Sequence, residues 1–132
     1  MTRSLFFLTL LAAGLAVTTA FGGLRLAAFR WSETDHNFGR IPQGQPVTAT
    51  FAFTNSSTVP LQIVSAKGSC GCTNVSFTRE QVLPGQAGQV QATFNAAAVG
   101  AFSKTVTVES NAEGGPITLA FRGEVVTALS DN

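Results

Sequence analysis

From residue 32 onward, apolar and polar side chains alternate along several short runs of the chain. In the clearest run, 47–54, Val47, Ala49, Phe51 and Phe53 occupy one parity and mostly threonines occupy the other. The same period of two recurs in 88–94, 102–108 and 117–121. Successive side chains of a β-strand point to opposite faces of a sheet, so this alternation predicts strands that are buried on one face.

Shorter runs complete the pattern. Residues 32–38 predict an edge strand that ends at Gly39, 61–64 predict a short strand, and 75–77 fit either a strand or an irregular crossing. Turn-forming sequences such as Leu83-Pro84-Gly85 separate the runs, and no helical periodicity follows the N-terminal segment. About seven short strands in about 100 residues predict an all-β fold, an antiparallel β-sandwich with a core of Phe, Val, Ile and Leu.

The first twenty residues predict an export signal. Arg3 precedes an apolar run to Val17, and small residues suit cleavage after Ala20. The alternative is an uncleaved anchor over residues 4–24, since about 20 apolar residues span a bilayer. Both interpretations place the domain outside the cytoplasm, periplasmic or extracellular, and only the anchor keeps it on a membrane. Residues 21–31 then predict a disordered linker, 32–126 the folded domain and 127–132 a frayed tail.

Composition and charge narrow the classes of function. Hydrophobic residues make up 45% of the chain and charged residues 11%, which is typical of a packed protein. The net charge is +1, and the domain without Arg3 is neutral, so it lacks the basic stripe that nucleic acid requires. The sequence has no Gly-rich phosphate loop, and one histidine, His36, beside Asp35 does not indicate a nucleophilic triad. We therefore predict no catalytic and no cofactor-binding residue.

Both cysteines lie in one loop, Ser69-Cys70-Gly71-Cys72-Thr73. In an extended strand the Cα atoms of Cys70 and Cys72 would be about 6.6 Å apart, at the limit for a disulfide, so a bridge needs a turn, which Gly71 permits. So small a ring stabilises weakly, and an exposed, strained bridge is easily reduced, which leaves a redox role open.

The same two cysteines allow a metal site. Two thiolates suit Cu(I) without further ligands, whereas a closed zinc site takes four protein ligands. His36 is the one further soft ligand that the domain offers. Three interpretations of Cys70 and Cys72 therefore stay open: a structural or disulfide-bonded turn, a metal site and a redox site.

A set of turn and core residues carries a resemblance to a known family. Its members are Phe38-Gly39-x-Ile41, Gly44, Asn55, Pro60-Leu61-x-Ile63, the cysteine loop, Pro84-Gly85, Phe94-Asn95, Gly100-x-Phe102-x-Lys104, Ser110-Asn111, Leu119 and Gly123. Over about Ser32 to Val126 this set of turn and core residues resembles DUF1573, a bacterial exported family that is similar in plan to Hydin and ASH modules. The resemblance implies an immunoglobulin-like sandwich and supplies no activity.

Together these observations predict an exported, non-enzymatic immunoglobulin-like module that acts by binding or by structure in the cell envelope. A protein partner or another envelope component would dock on an exposed sheet face or an edge strand. The alternative hypothesis is a periplasmic thiol-redox or copper-handling protein that uses the loop Cys70-Gly71-Cys72. No cofactor is expected under the first hypothesis, and Cu(I) is expected under the second.

Overall fold

Residues 25–127 fold into two four-stranded β-sheets that pack face to face. The computed structural model describes Gly14 and residues 25–127; apart from Gly14, the predicted export segment lies outside this range. The eight strands are β1 Phe29–Trp31, β2 Asp35–Pro42, β3 Val47–Asn55, β4 Ile63–Gly68, β5 Thr73–Phe77, β6 Ala87–Phe94, β7 Gly100–Ser110 and β8 Ile117–Val126. The first sheet has the order β1-β3-β6-β5 and the second β2-β8-β7-β4.

The all-β sandwich predicted from the sequence is confirmed. Residues 25–127 contain no helix, and hence no helix there is long and apolar enough to cross a membrane. The sandwich has eight strands where about seven were predicted, since the chain also forms β1.

Alternation sets the buried face of the central strands. β3 and β6 pair antiparallel with Phe51 opposite Val90, and the inward positions of both strands are buried. On the outer face the hydroxyls of Thr48 and Thr93 are hydrogen-bonded at 2.8 Å. The second sheet meets this layer with side chains that are fully buried, among them Val106, Val108, Leu119 and Phe121. The apolar core therefore lies between the sheets, where each such side chain contributes about 1.5–3 kcal/mol before entropy is subtracted.

The domain begins earlier than the sequence predicted. Ala27 is 2% exposed, and Phe29–Trp31 pairs antiparallel with β3 as strand β1. The rings of Phe29 and Trp31 stack with centroids 4.8 Å apart, and both meet Phe53 edge-on. The prediction of a disordered linker over residues 21–31 is therefore wrong for its last part, because aromatic packing fixes the chain there. The predicted tail, beyond Thr127, lies outside the described residues.

One strand pair is parallel, which the antiparallel prediction did not include. Between Trp31 and Asp35 the chain crosses from the first sheet to the second, so β2 runs in the same direction as β8. The pairing shifts register around Gly39, whose φ of 68° is left-handed. Such a bulge favours glycine, since other residues rarely adopt this backbone conformation.

One buried polar side chain, that of Asn55, joins two loops to the end of β3. It is 1% exposed, and its Nδ2 donates to the carbonyls of Val59 and Val82, each at 2.8 Å. Its Oδ1 accepts a hydrogen bond from the backbone N–H of Ser57 at 2.9 Å. The sequence marked Asn55 as a turn residue, and the structure makes it a fastener for both loops.

Candidate functional site

The cysteine loop is the place where the chain passes between the two sheets on one side of the sandwich. It connects β4, an edge strand of the second sheet, to β5, an edge strand of the first. At its start Ser69 N–H donates to the Thr105 carbonyl at 2.9 Å, and Ser69 Oγ accepts from Thr105 N–H at 3.1 Å. At its end Asn95 N–H donates to the Cys72 carbonyl at 3.1 Å. Each end of the loop is thus anchored to a different sheet.

Within the loop the chain makes a tight turn that brings the two cysteines together. Thr73 N–H donates to the Cys70 carbonyl at 3.4 Å, and the Cα atoms of Cys70 and Cys72 are 5.3 Å apart, joined by a disulfide. The turn expected at Gly71 is present, but it does not require glycine, because Gly71 has no left-handed φ and a Cβ built on it meets nothing within 4 Å. The turn is therefore open to other residues at position 71.

A hydroxyl group, that of Thr73, lies beside the sulfur of Cys70. Cys70 Sγ lies 3.6 Å from Thr73 Oγ1, a weak hydrogen bond. Cys72 is half-buried and packs against the core, next to a depression of about 260 Å³ whose walls include Phe94, Phe102 and Lys104. This depression is mostly apolar, with one ammonium group at its wall.

His36 lies far from the cysteines. It belongs to β2, which is at the opposite edge of the second sheet from β4, so three interstrand spacings of about 4.8 Å separate them, or about 14 Å. His36 Nδ1 is 2.9 Å from Glu33 Oε1, and the imidazole ring meets Phe38 edge-on with centroids 4.6 Å apart. One copy of the chain therefore cannot bring His36 to a metal held by Cys70 and Cys72.

The described residues contain no cluster of three or more metal-ligating side chains. Among residues 25–127 no group of three or more His, Cys, Asp or Glu side chains lies together. Two exposed ion pairs form among these residues: His36 with Glu33, and Asp35 with Arg122 at 2.7 Å. What the cysteine loop offers chemically is two sulfurs in one turn, able to form a bridge or to present two thiolates.

A surface that the sequence reasoning missed is the outer face of the first sheet. Strands β3, β5 and β6 contain no charged residue, whereas the strands of the second sheet carry Asp35, Arg40, Lys67, Lys104, Glu109, Arg122 and Glu124. The outward side chains of these three strands include Thr48, Thr50, Ala52, Asn74, Ser76, Gln89, Gln91 and Thr93; Thr54 and Ala87 lie on the same side of the sheet, next to Arg30 of β1. We refer to the first eight residues as the uncharged face. The signal was visible in the sequence, since residues 41–66 and 81–103 carry no charge.

Structures similar to this chain share its fold at low sequence identity. A protein of unknown function from Porphyromonas gingivalis W83 matches with a TM-score of 0.67 and 12% identity, over 80% of this chain and 50% of that one. The ASH/PapD-like domain 7 of human CEP192 matches with a TM-score of 0.61 and 12% identity, over 79% of this chain and 89% of that one. The VesB protease of Vibrio cholerae matches with a TM-score of 0.58 and 18% identity, over 76% of this chain and 31% of that one.

These likenesses concern the fold alone, which is that of an immunoglobulin-like β-sandwich. This chain spans half of the Porphyromonas protein and less than a third of the protease. No curated protein matches the sequence. The model of one family, described as protein of unknown function (DUF1573), matches residues 29–125, which include every strand from β1 to nearly all of β8. The chain therefore belongs to the DUF1573 family, with an immunoglobulin-like β-sandwich as its fold.

Proposed function

We propose that this chain is an exported, non-enzymatic module that acts by binding or by structure in the cell envelope. The observation that carries the proposal is the uncharged face. Hydroxyl and amide groups there can exchange hydrogen bonds with a partner, and no charge on the face has to be desolvated or matched. The partner that suits it is a protein or another envelope component that is uncharged over the area of contact.

The arrangement of the titratable residues also supports a role without turnover. A catalytic site usually combines a concave pocket with acid, base or nucleophile groups that face each other inside it. Here the pairs Glu33–His36 and Asp35–Arg122 are exposed and lie at the edge formed by β2 and β8. The cysteine loop is at the other edge, so these groups and the sulfurs do not share a pocket.

Export is tested by locating the full chain in cells and weighing its N-terminus. A C-terminally tagged full-length chain should be released by osmotic shock or stay with the membrane fraction, and intact mass should correspond to cleavage after Ala20 or to the uncleaved anchor. A chain found only in the cytoplasmic fraction would overturn the export half of the proposal.

Binding is tested with charges placed on the uncharged face. Thr50→Lys with Gln89→Lys puts two ammonium groups on exposed positions of β3 and β6, and Ala101→Lys with Thr107→Lys is a matched control on the outer face of the second sheet. Co-sedimentation of the full chain with isolated cell envelopes should fall about tenfold for the first variant and hold for the control. Equal loss, or no loss, in both variants would contradict a binding role for this face.

The second candidate function, thiol redox or copper handling, is favoured by the two cysteines in one turn. Reduction of the bridge consumes two electrons and two protons from a dithiol and leaves two thiols. If this is the function, the reduced chain takes up one Cu(I) under anaerobic conditions, or exchanges disulfides with glutathione, and Cys72→Ser abolishes either reaction. Absence of both reactions in the native chain would remove this candidate.

A further inference from the structure

The four edge strands differ in the features that prevent a sheet edge from pairing with another chain. β1 has three residues and includes Arg30, β2 has a bulge and two charged residues, and β4 has an irregular register and Lys67. β5 has none of these features: it pairs with β6 in an unbroken register and contains no charge, no proline and no bulge. Natural sheet edges are normally protected, so an unprotected one indicates a pairing surface.

The backbone of β5 presents hydrogen-bonding groups on its open side. At one end of the strand the Cys72 carbonyl accepts from Asn95 N–H, and at the other end Thr78 N–H donates to the Gln89 carbonyl, so both groups point toward β6. Hydrogen-bonded pairs alternate along an antiparallel ladder, so the N–H and C=O groups of Thr73, Val75 and Phe77 point away from β6. In residues 25–127, no loop backbone or side chain donates to or accepts from Val75 or Phe77.

We propose that β5 of a second copy of this chain pairs antiparallel with β5 along this edge, around a two-fold axis at Val75. Val75 then faces Val75, and Thr73 faces Phe77 of the second copy. Thr73 N–H already donates to the Cys70 carbonyl, so the ladder is carried by the N–H and C=O groups of Val75 and Phe77 and by the Thr73 carbonyl. The two first sheets become one eight-stranded sheet whose outer surface joins the two uncharged faces. This goes beyond the proposed function, and it holds whether or not the face also binds an envelope component.

The side chains around β5 favour an identical strand as the occupant. In the two-fold register Asn74 lies opposite Ser76 of the second copy, so an amide meets a hydroxyl and no like charges meet. Two residues beyond the strand, Arg79 comes opposite Gly71, which has no side chain and open space where a Cβ would stand. A two-fold interface requires such self-complementarity, because each position meets its own symmetry partner.

Sedimentation velocity on the protein as purified from the expressing cells tests this pairing between about 1 μM and 1 mM. An edge contact is smaller than a standard interface, so we expect a weak monomer–dimer equilibrium. Asn74→Lys with Ser76→Lys changes two exposed side chains and places like charges opposite each other twice. It should weaken the dimer about tenfold at low salt. Ala52→Lys with Ala101→Lys adds the same charge at exposed positions away from this edge and should leave the equilibrium unchanged.

Two further measurements make the proposal specific to β5. Mixing the lysine variant with Asn74→Glu, Ser76→Glu should give a heterodimer that is tighter than either variant alone. Amide exchange at Val75 and Phe77 should slow as protein concentration rises. A monomer throughout the concentration range would overturn the proposal, as would a dimer that responds equally to both lysine variants. If amide exchange at Val75 and Phe77 did not depend on protein concentration, the proposal would be overturned too. The β5 edge would then be a candidate for pairing with a strand of a different protein.

Discussion

Replacing Asn55 with alanine should loosen two loops at once. The amide Nδ2 donates to the Val59 and Val82 carbonyls, and Oδ1 lies 2.9 Å from Ser57 N and 2.6 Å from Ser57 Oγ. The change removes these four hydrogen bonds from a site that is 1% exposed. Neither carbonyl is left wholly unpaired, because Leu61 N–H also donates to Val82 O and the Ser57 hydroxyl, 3.0 Å from Val59 O, can turn to it.

The size of the effect follows from these contacts. A buried hydrogen bond contributes about 0.5–1.5 kcal/mol net, and bonds of one network do not add fully, so we expect a loss of about 2–4 kcal/mol in the free energy of unfolding. For a domain of this size, that lowers the melting temperature by roughly 10–25 °C. A loss of this size is a large part of the roughly 5–15 kcal/mol that keeps such a domain folded.

Urea unfolding measures the loss, with Trp31 fluorescence as one probe and far-ultraviolet circular dichroism as the other. Trp31 is the one tryptophan, and its ring packs against Phe29 and Phe53, so its emission reports the β1–β3 contact. Asn74→Ala is the control: its side chain is exposed, so the free energy of unfolding should stay within about 0.5 kcal/mol of the native value. An equally small change for Asn55→Ala would refute the assignment of Asn55 as the fastener.

Asn55→Asp separates the amide donors from the shape of the side chain. A carboxylate there keeps the two acceptors but faces the Val59 and Val82 carbonyl oxygens without a proton to share. Burial and these oxygens raise the pKa of the introduced carboxyl in the folded state above its unfolded value of about 3.9. The variant should therefore gain stability relative to the native protein as the pH falls from 7 toward 4, and lose it as the pH rises again.

Three other changes test separate features. Gly88→Ala should lower the free energy of unfolding by about 1–3 kcal/mol, because the new Cβ would lie 2.5 Å from Phe53 Cζ. Gly71→Ala is the control and should change it by less than about 0.5 kcal/mol, since a Cβ there meets nothing within 4 Å. Equal effects of the two substitutions in urea unfolding would contradict this prediction. Reductant should raise the intact mass by about two mass units, and an unchanged mass would mean that Cys70 and Cys72 are not bridged. Cys70→Ser should reduce stability by about 1–2 kcal/mol under oxidising conditions, as expected for a ring this small, and by much less when the native chain is also reduced.

The parts of the fold that could be predicted are those with a local signal. Alternation alone placed Phe51, Val90 and Val106 inward, because a strand with one buried face needs no knowledge of its partner. The parallel pairing of β2 with β8 had no such signal, since it depends on where the chain crosses between sheets. β1 was missed because three residues are too short a run to show alternation, and Phe29 and Trp31 are held by packing against Phe53, far along the chain.

The site was predicted less completely than the fold. The sequence singled out Cys70 and Cys72 by their residue type, and the spacing indicated that a turn was needed to bridge them. It could not place His36 at the opposite edge of the second sheet, because the strand order is a long-range property. The uncharged face and the unprotected β5 edge depend on which strands are neighbours, so their meaning emerges only once the two sheets are assembled.

The pairing of β2 with β8 has a consequence for how the protein is made. Asp35 and Arg122 contact each other across 87 positions, so β2 cannot pair until β8, which is synthesised much later, is available. A chain that emerges N-terminus first cannot close its second sheet until residues 117–126 arrive, and contacts of such high contact order form slowly. Truncation before Ile117 should therefore leave a translation product whose second sheet cannot close and which proteases remove.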